Sequence, residues 1–255
     1  MAGLSQVLRI PEFRALWVAE TLSVAGDQLA RVALAVLVYD RSGSAAWSAV
    51  TYALTFLPAM LGGLLLGGLA DRYPRRTVMV VADLLRMVLL AAMAVSGVPL
   101  WLLAGLLVLA VLLAAPHSAA QGALLPAVLP DKQYEHGLAV RQITIQAAQI
   151  AGFAAGGVAV AALGPSTALA LDAGTFALSA AVVWFGVHAR PAPIAAAPRP
   201  GSRWSREAFA GLRVVLTDRR RRTLALLAWL VGCYVVPEGL AAPYASDIGA
   251  GAGAV

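Results

Sequence analysis

A chain of 255 residues with 60% hydrophobic and 13% charged positions and a mean hydropathy of +0.79 carries more apolar surface than a soluble domain of this size can bury. It is therefore an integral membrane protein. The net charge of +6 does not point to a nucleic-acid partner, because the basic residues gather in a few loops beside apolar runs with little aromatic interleaving.

The apolar runs predict seven spans: Leu16–Tyr39, Trp47–Ala70, Thr77–Val98, Leu100–Leu124, Leu138–Leu163, Thr167–Val187 and Thr223–Tyr244. At 1.5 Å per residue each suffices for a hydrocarbon core of ~30 Å. The first is too long and too charged for a cleavable signal peptide, so it is expected to remain as the first helix. It also carries Glu20, Asp27, Gln28 and Arg31. At 100° per residue Glu20 and Asp27 fall within about 20° of each other, with Arg31 one turn beyond, so the three charges form a stripe turned away from lipid. A charge at mid-helix costs ~2.5 to 3.5 kcal/mol on insertion scales. The stripe therefore either pairs, Asp27 with Arg31, or lines a polar cavity in which Asp27 or Glu20 exchanges a proton.

The second span carries Gly63 and Gly67, and the fifth carries Gly152, Gly156 and Gly157, small residues that let helix backbones approach closely in lipid. Between the second and third spans, Gly67 to Arg76 forms a tight charged turn at the membrane surface. Arg72, Arg75 and Arg76 are expected to anchor it at the headgroups while Asp71 caps the next helix. In the third span Asp83 and Arg86 stand one turn apart, expected to pair with each other or with that loop. His117 in the fourth span is an interhelical hydrogen bonder or a proton relay, and Asp172 in the sixth is a further cavity candidate. The single cysteine, Cys233, excludes an intrachain disulfide and leaves no metal site to expect.

Residues 188–222, rich in Pro, Ala and Arg, read as a cytoplasmic linker between a six-helix bundle (1–187) and a seventh helix opening an incomplete second bundle (223–255). Trp204, Ala208, Leu212 and Val215 at helical spacing, with Arg206 and Arg213, suggest an amphipathic helix on the inner leaflet. With the N-terminus inside, 16 of the 19 basic residues lie on the cytoplasmic side and only Arg41 in the opposite loops.

The residues Gly67, Leu69, Ala70, Asp71, Arg72, Arg75 and Arg76 resemble the cytoplasmic signature loop of the major facilitator superfamily, G-x-L-A-D-R-x-G-R-R, with Pro74 in place of its Gly. Phe13 to Trp17, Ser23 to Asp27, Ala123 to Pro126 followed by Pro130, and Leu171 to Ala180 are similar to bacterial exporters that include the enterobactin exporter and its macrolide and multidrug relatives. Gly152, Gly156 and Gly157 resemble the antiporter motif G-P-x-x-G-G, with Phe153 for its Pro. Gln121 stands where relatives often carry Arg.

The resemblance implies an all-α membrane fold of two inverted three-helix repeats plus a seventh helix, truncated relative to twelve helices. It implies a secondary active transporter, exporting amphiphilic small molecules against protons; solute uptake on the same scaffold and a transport-inactive fragment are the alternatives. The implied partners are a small-molecule substrate, protons, the lipid bilayer and a missing C-terminal half, which the loop latches. No cofactor or nucleic acid is expected, and the implied location is the inner (plasma) membrane, multi-pass. The absence of a G-x-x-x-x-G-K-S/T loop disfavours ATP-driven export, and the absence of a catalytic triad disfavours an enzyme.

Overall fold

The computed structural model describes residues 6–55, 57–192 and 217–232. Among these the regular elements are helices: α1 (Pro11–Ser42), α2 (Ala45–Ala53), α3 (Leu57–Leu66), α4 (Leu69–Arg72), α5 (Arg75–Ala94), α6 (Leu100–Val128), α7 (Asp131–Leu163), α8 (Pro165–Gly186) and α9 (Arg219–Gly232). Five of them, α1 and α5 to α8, are long and apolar enough to cross a membrane.

The expected second span is not one helix but two, α2 and α3. Pro58 accounts for the break: it lacks an N–H, its ring opposes the carbonyl four residues back at Leu54, and it disfavours helical geometry in the residue before it. At the junction the Thr55 N–H reaches back only to the Tyr52 carbonyl at 3.0 Å, and the Thr55 hydroxyl donates to the same oxygen at 2.7 Å.

Other helices outrun their expected limits. α1 begins at Pro11, where the missing N–H is no loss, and ends where Gly43 takes a left-handed conformation (φ 61°) and returns its N–H to the Tyr39 carbonyl. α7 begins at Asp131, well before Leu138, and so absorbs Lys132, while Arg141 lies within it as within the expected fifth span. α9 starts at Arg219 rather than Thr223, with Asp218 accepting the Arg220 N–H at 2.9 Å as its cap. The expected amphipathic helix, Cys233 and the rest of the seventh span lie outside the described residues.

α1 is the hub, packing against α8, α7 and α2; α5 packs on α8 and α6, and α3 on α6. Phe13, Leu16, Leu34, Met93, Leu169 and Phe176 fill the interior, while Val88, Trp101, Ile143, Ile150 and Phe185 face outward, as suits a surface against lipid tails. The α1–α7 seam depends on two glycines. A Cβ at Gly152 would lie 2.5 Å from the Ala25 carbonyl oxygen, and one at Gly156 would lie 3.1 Å from the Leu29 Cα. Gly157 has nothing within 4 Å.

For the second span the expected Gly63 is off by one position. The close approach is made by Gly62, whose added Cβ would come 2.7 Å from the Leu112 carbonyl oxygen, whereas Gly63 faces open space. One residue is 100° of rotation, enough to carry a glycine out of a seam.

The start and finish of the six-span bundle are clasped together. Buried Glu12 receives both Arg190 terminal nitrogens, Nη2 at 2.8 Å, and the His188 N–H at 3.1 Å, with His188 Nδ1 3.3 Å away. The hydrogen bonds to Glu12 raise the Arg190 guanidinium pKa above its ordinary value. Arg9, Arg14, Arg72, Arg75 and Arg76 crowd this same end of the bundle, called here the basic end.

Candidate functional site

A cavity of about 120 Å³ lies between α1, the α2–α3 break, α5, α6 and α8. Its charged lining is Asp27, Arg31, Arg86 and Asp172, and Leu34, Leu90, Met93, Leu107 and Val111 make much of the rest. Four charged residues that the sequence singled out in three different spans, Asp27, Arg31, Arg86 and Asp172, therefore meet at one place.

Arg86 is the keystone. Its Nη2 donates to Asp27 Oδ1 at 2.5 Å, its Nη1 lies 3.5 Å from the Ser23 hydroxyl, and its guanidinium stacks 4.0 Å above the Phe176 ring. Both partners line the cavity, but the arginine side chain is 5% exposed and the Asp27 side chain 34%, so the anionic partner is the more accessible. Asp172 stands fully buried on α8 with Thr175 Oγ1 3.0 Å from its Oδ1, while its Oδ2 has no hydrogen-bond partner. Gly26 makes room for it: a Cβ there would lie 2.1 Å from Asp172 Oδ1. That carboxyl thus presses on α1 one residue before Asp27. Arg31 Nη1 reaches Gln28 Oε1 at 3.3 Å.

The pairings differ from those expected. Asp27 is held by Arg86 of α5 rather than by Arg31 of its own helix. Asp83 is not the partner of Arg86; it accepts the Ser179 hydroxyl at 2.7 Å and lies 3.4 Å from His117 Nε2. Glu20 leaves the stripe for α7, where Arg141 grips it through three contacts of 2.5 to 2.8 Å. The reason is common to all three: long side chains pair with whatever the packed neighbour offers, and helix rotation decides that. Arg86 and Arg141 were the partners missed, and the signal for them was two unmatched carboxylates on α1 against two arginines inside later spans.

In the signature loop, Asp71 and Arg72 are exposed on α4. Asp71 does not cap α5, whose N-cap is Pro74 without a side-chain hydrogen bond, because the short α4 and the Tyr73–Pro74 step separate them. Arg75 Nη1 instead donates to the Ala123 carbonyl at 2.7 Å at the end of α6, and Arg76 stacks 4.3 Å over Trp184 of α8. Gln121 turns its amide toward the Leu16 carbonyl at 3.5 Å. Among the described residues no group of three or more His, Cys, Asp or Glu is placed to hold a metal.

A bundle of apolar helices, a charged central cavity and an Asp-Arg loop at the basic end define a membrane carrier fold. Residues 16–254 match the family model of the Major Facilitator Superfamily, and the chain belongs to that family of membrane transporters. It is similar to the multidrug efflux pump Tap of Mycobacterium tuberculosis, 35% identical over 185 residues covering 67% of this chain and 43% of that protein. It is 26% identical over 126 residues to macrolide efflux protein A of Streptococcus pyogenes, covering 48% of this chain and 31% of that one. The MFS-type transporter YfiS of Bacillus subtilis is 26% identical over 219 residues, covering 85% of this chain and 51% of that protein. Among solved structures, a peptide transporter POT in complex with sulfate superposes with a TM-score of 0.62 at 17% identity, over 92% of this chain and 50% of that chain. That likeness shows the fold. The chain spans about half the length of these relatives or less.

Proposed function

We propose that this chain forms the N-terminal bundle of a secondary active exporter, which moves amphiphilic small molecules outward by alternating access as protons move inward. The observation that carries this reading is the single contact between Arg86 and the cavity-facing Asp27. A proton on Asp27 removes the charge that holds Arg86, and its departure restores the hold, so the charge of the cavity changes with access to either side. The apolar wall of Leu34, Leu90, Met93 and Leu107 suits the hydrophobic part of an amphiphile. The efflux pumps among the relatives support the outward direction. The basic end, with Arg72, Arg75 and Arg76, lies at the cytoplasmic leaflet of the plasma membrane. In the complete carrier a second helical bundle supplies the opposite wall, and Asp71, exposed on α4, is the group that latches onto it.

The test is transport by the complete carrier in proteoliposomes, with a fluorescent amphiphilic dye as probe. Asp27→Asn is expected to abolish accumulation driven by a pH gradient while dye exchange without a gradient persists. Gradient-driven accumulation that survives with its pH dependence intact overturns the assignment.

A further inference from the structure

Three polar side chains from three helices meet in the bundle away from the cavity and take no part in the mechanism above. Asp83 of α5 and Ser179 of α8 are 0% exposed and His117 of α6 is 5% exposed. Their level follows from the chain. Asp83 is one turn nearer the basic end than Arg86, His117 one turn nearer than the cavity-lining Ala114, and Ser179 two turns nearer than Asp172. The cluster is therefore the floor beneath the cavity on its basic side.

Its hydrogen bonding is incomplete in a specific way. Ser179 donates to Asp83 Oδ2 at 2.7 Å, and His117 Nε2 lies 3.4 Å from that same oxygen. Asp83 Oδ1 and His117 Nε2 are both buried without a hydrogen-bond partner. Buried polar atoms are almost always satisfied, and a carboxylate in a low-dielectric interior with one hydroxyl donor is expensive. The surrounding charges are committed elsewhere: Arg86 to Asp27, Arg141 to Glu20, and Arg75 to the Ala123 carbonyl. Asp172 lies farther up α8 beside Thr175, and Gln121 turns to Leu16. A proton held between His117 Nε2 and Asp83 Oδ2 would give the imidazole nitrogen its partner and offset the carboxylate's charge.

We infer that Asp83 and His117 share one exchangeable proton, a second proton site between the cavity and the basic end. One proton is taken up from one side and one released toward the other; only an N–H or O–H bond forms or breaks. As a relay the site serves the proton-driven carrier proposed above and rests on that reading. As a proton site it stands on the cluster alone.

The experiment needs no transport. The chain is placed in lipid nanodiscs with ¹⁵N-labelled histidine and ¹³C-labelled aspartate carboxyls, and NMR signals are followed against pH. The His117 ring and the Asp83 carboxyl are expected to move together in one step, apart from exposed His136. Asp83→Asn should remove that step from His117, and His117→Gln should remove it from Asp83, so either variant suffices if the other does not fold. Ser179→Ala, which keeps both members of the pair, should retain a joint step. Independent movement of the two signals, a His117 step unaltered by Asp83→Asn, or loss of the step in Ser179→Ala overturns the shared proton. A joint step alongside unimpaired transport by Asp27→Asn would keep this site while removing the proposed function.

Discussion

α1 uses the same chemistry, carboxylate to arginine, at two levels two turns apart, toward different neighbours and with different geometry. Toward α7, Glu20 is 8% exposed and held by a fork of three contacts, with the Trp17 indole donating to the Thr144 hydroxyl at 2.8 Å nearby and Gly152 and Gly156 bringing the backbones together. Toward α5 and α8, Asp27 is held by one contact from Arg86, opens on a cavity, and neighbours a second carboxyl at Asp172. A fork satisfies both carboxylate oxygens and fixes two helices. A single contact with a competing acid beside it can be exchanged. The first contact is built as a brace, and the second is the one that the proposed function uses as a switch.

The largest expected effect comes from breaking the brace. Glu20→Gln leaves Arg141 facing an uncharged partner in a buried seam and should destabilise the chain by about 3 kcal/mol, read from its unfolding in mixed micelles. Next comes the seam itself: Gly152→Ala forces a methyl onto a backbone carbonyl that cannot yield and should cost about 2 kcal/mol, whereas Gly157→Ala on the same helix should be neutral or slightly stabilising. The smallest effect belongs to the switch. Asp27→Asn should cost only about 1 kcal/mol, since a second carboxyl, Asp172, stays beside Arg86 to offset its charge, while carrying the transport defect described above. Losses of equal size at Glu20 and Asp27 would erase the distinction between the two contacts.

Much of the fold was legible because bilayer thickness and hydropathy are properties of single segments. The spans at α1 and at α5 to α8, the family and the loop followed from run length and the Gly67 to Arg76 pattern. The break after Ala53 was written in Pro58, but a run without a charge reads as one span. The meeting of Asp27, Arg31 and Asp172 was legible in part, since an ionisable residue within a span turns inward whatever its partner. The partners themselves were not. Asp27 finds Arg86 59 positions away and Glu20 finds Arg141 121 positions away, distances over which only the packed bundle decides register. The same holds for Gly62 against Gly63, a difference of one rotational step.

The clasp at Glu12 has a mechanical meaning. α1 is an unbroken helix of 32 residues, a rod of about 48 Å, and Asp27 lies about 22 Å along it from Glu12. Glu12 ties residues 188–190 to the near tip of this rod. The segment that follows α8 is thereby fastened to the same helix that carries, at its middle, the half-buried carboxylate of the cavity.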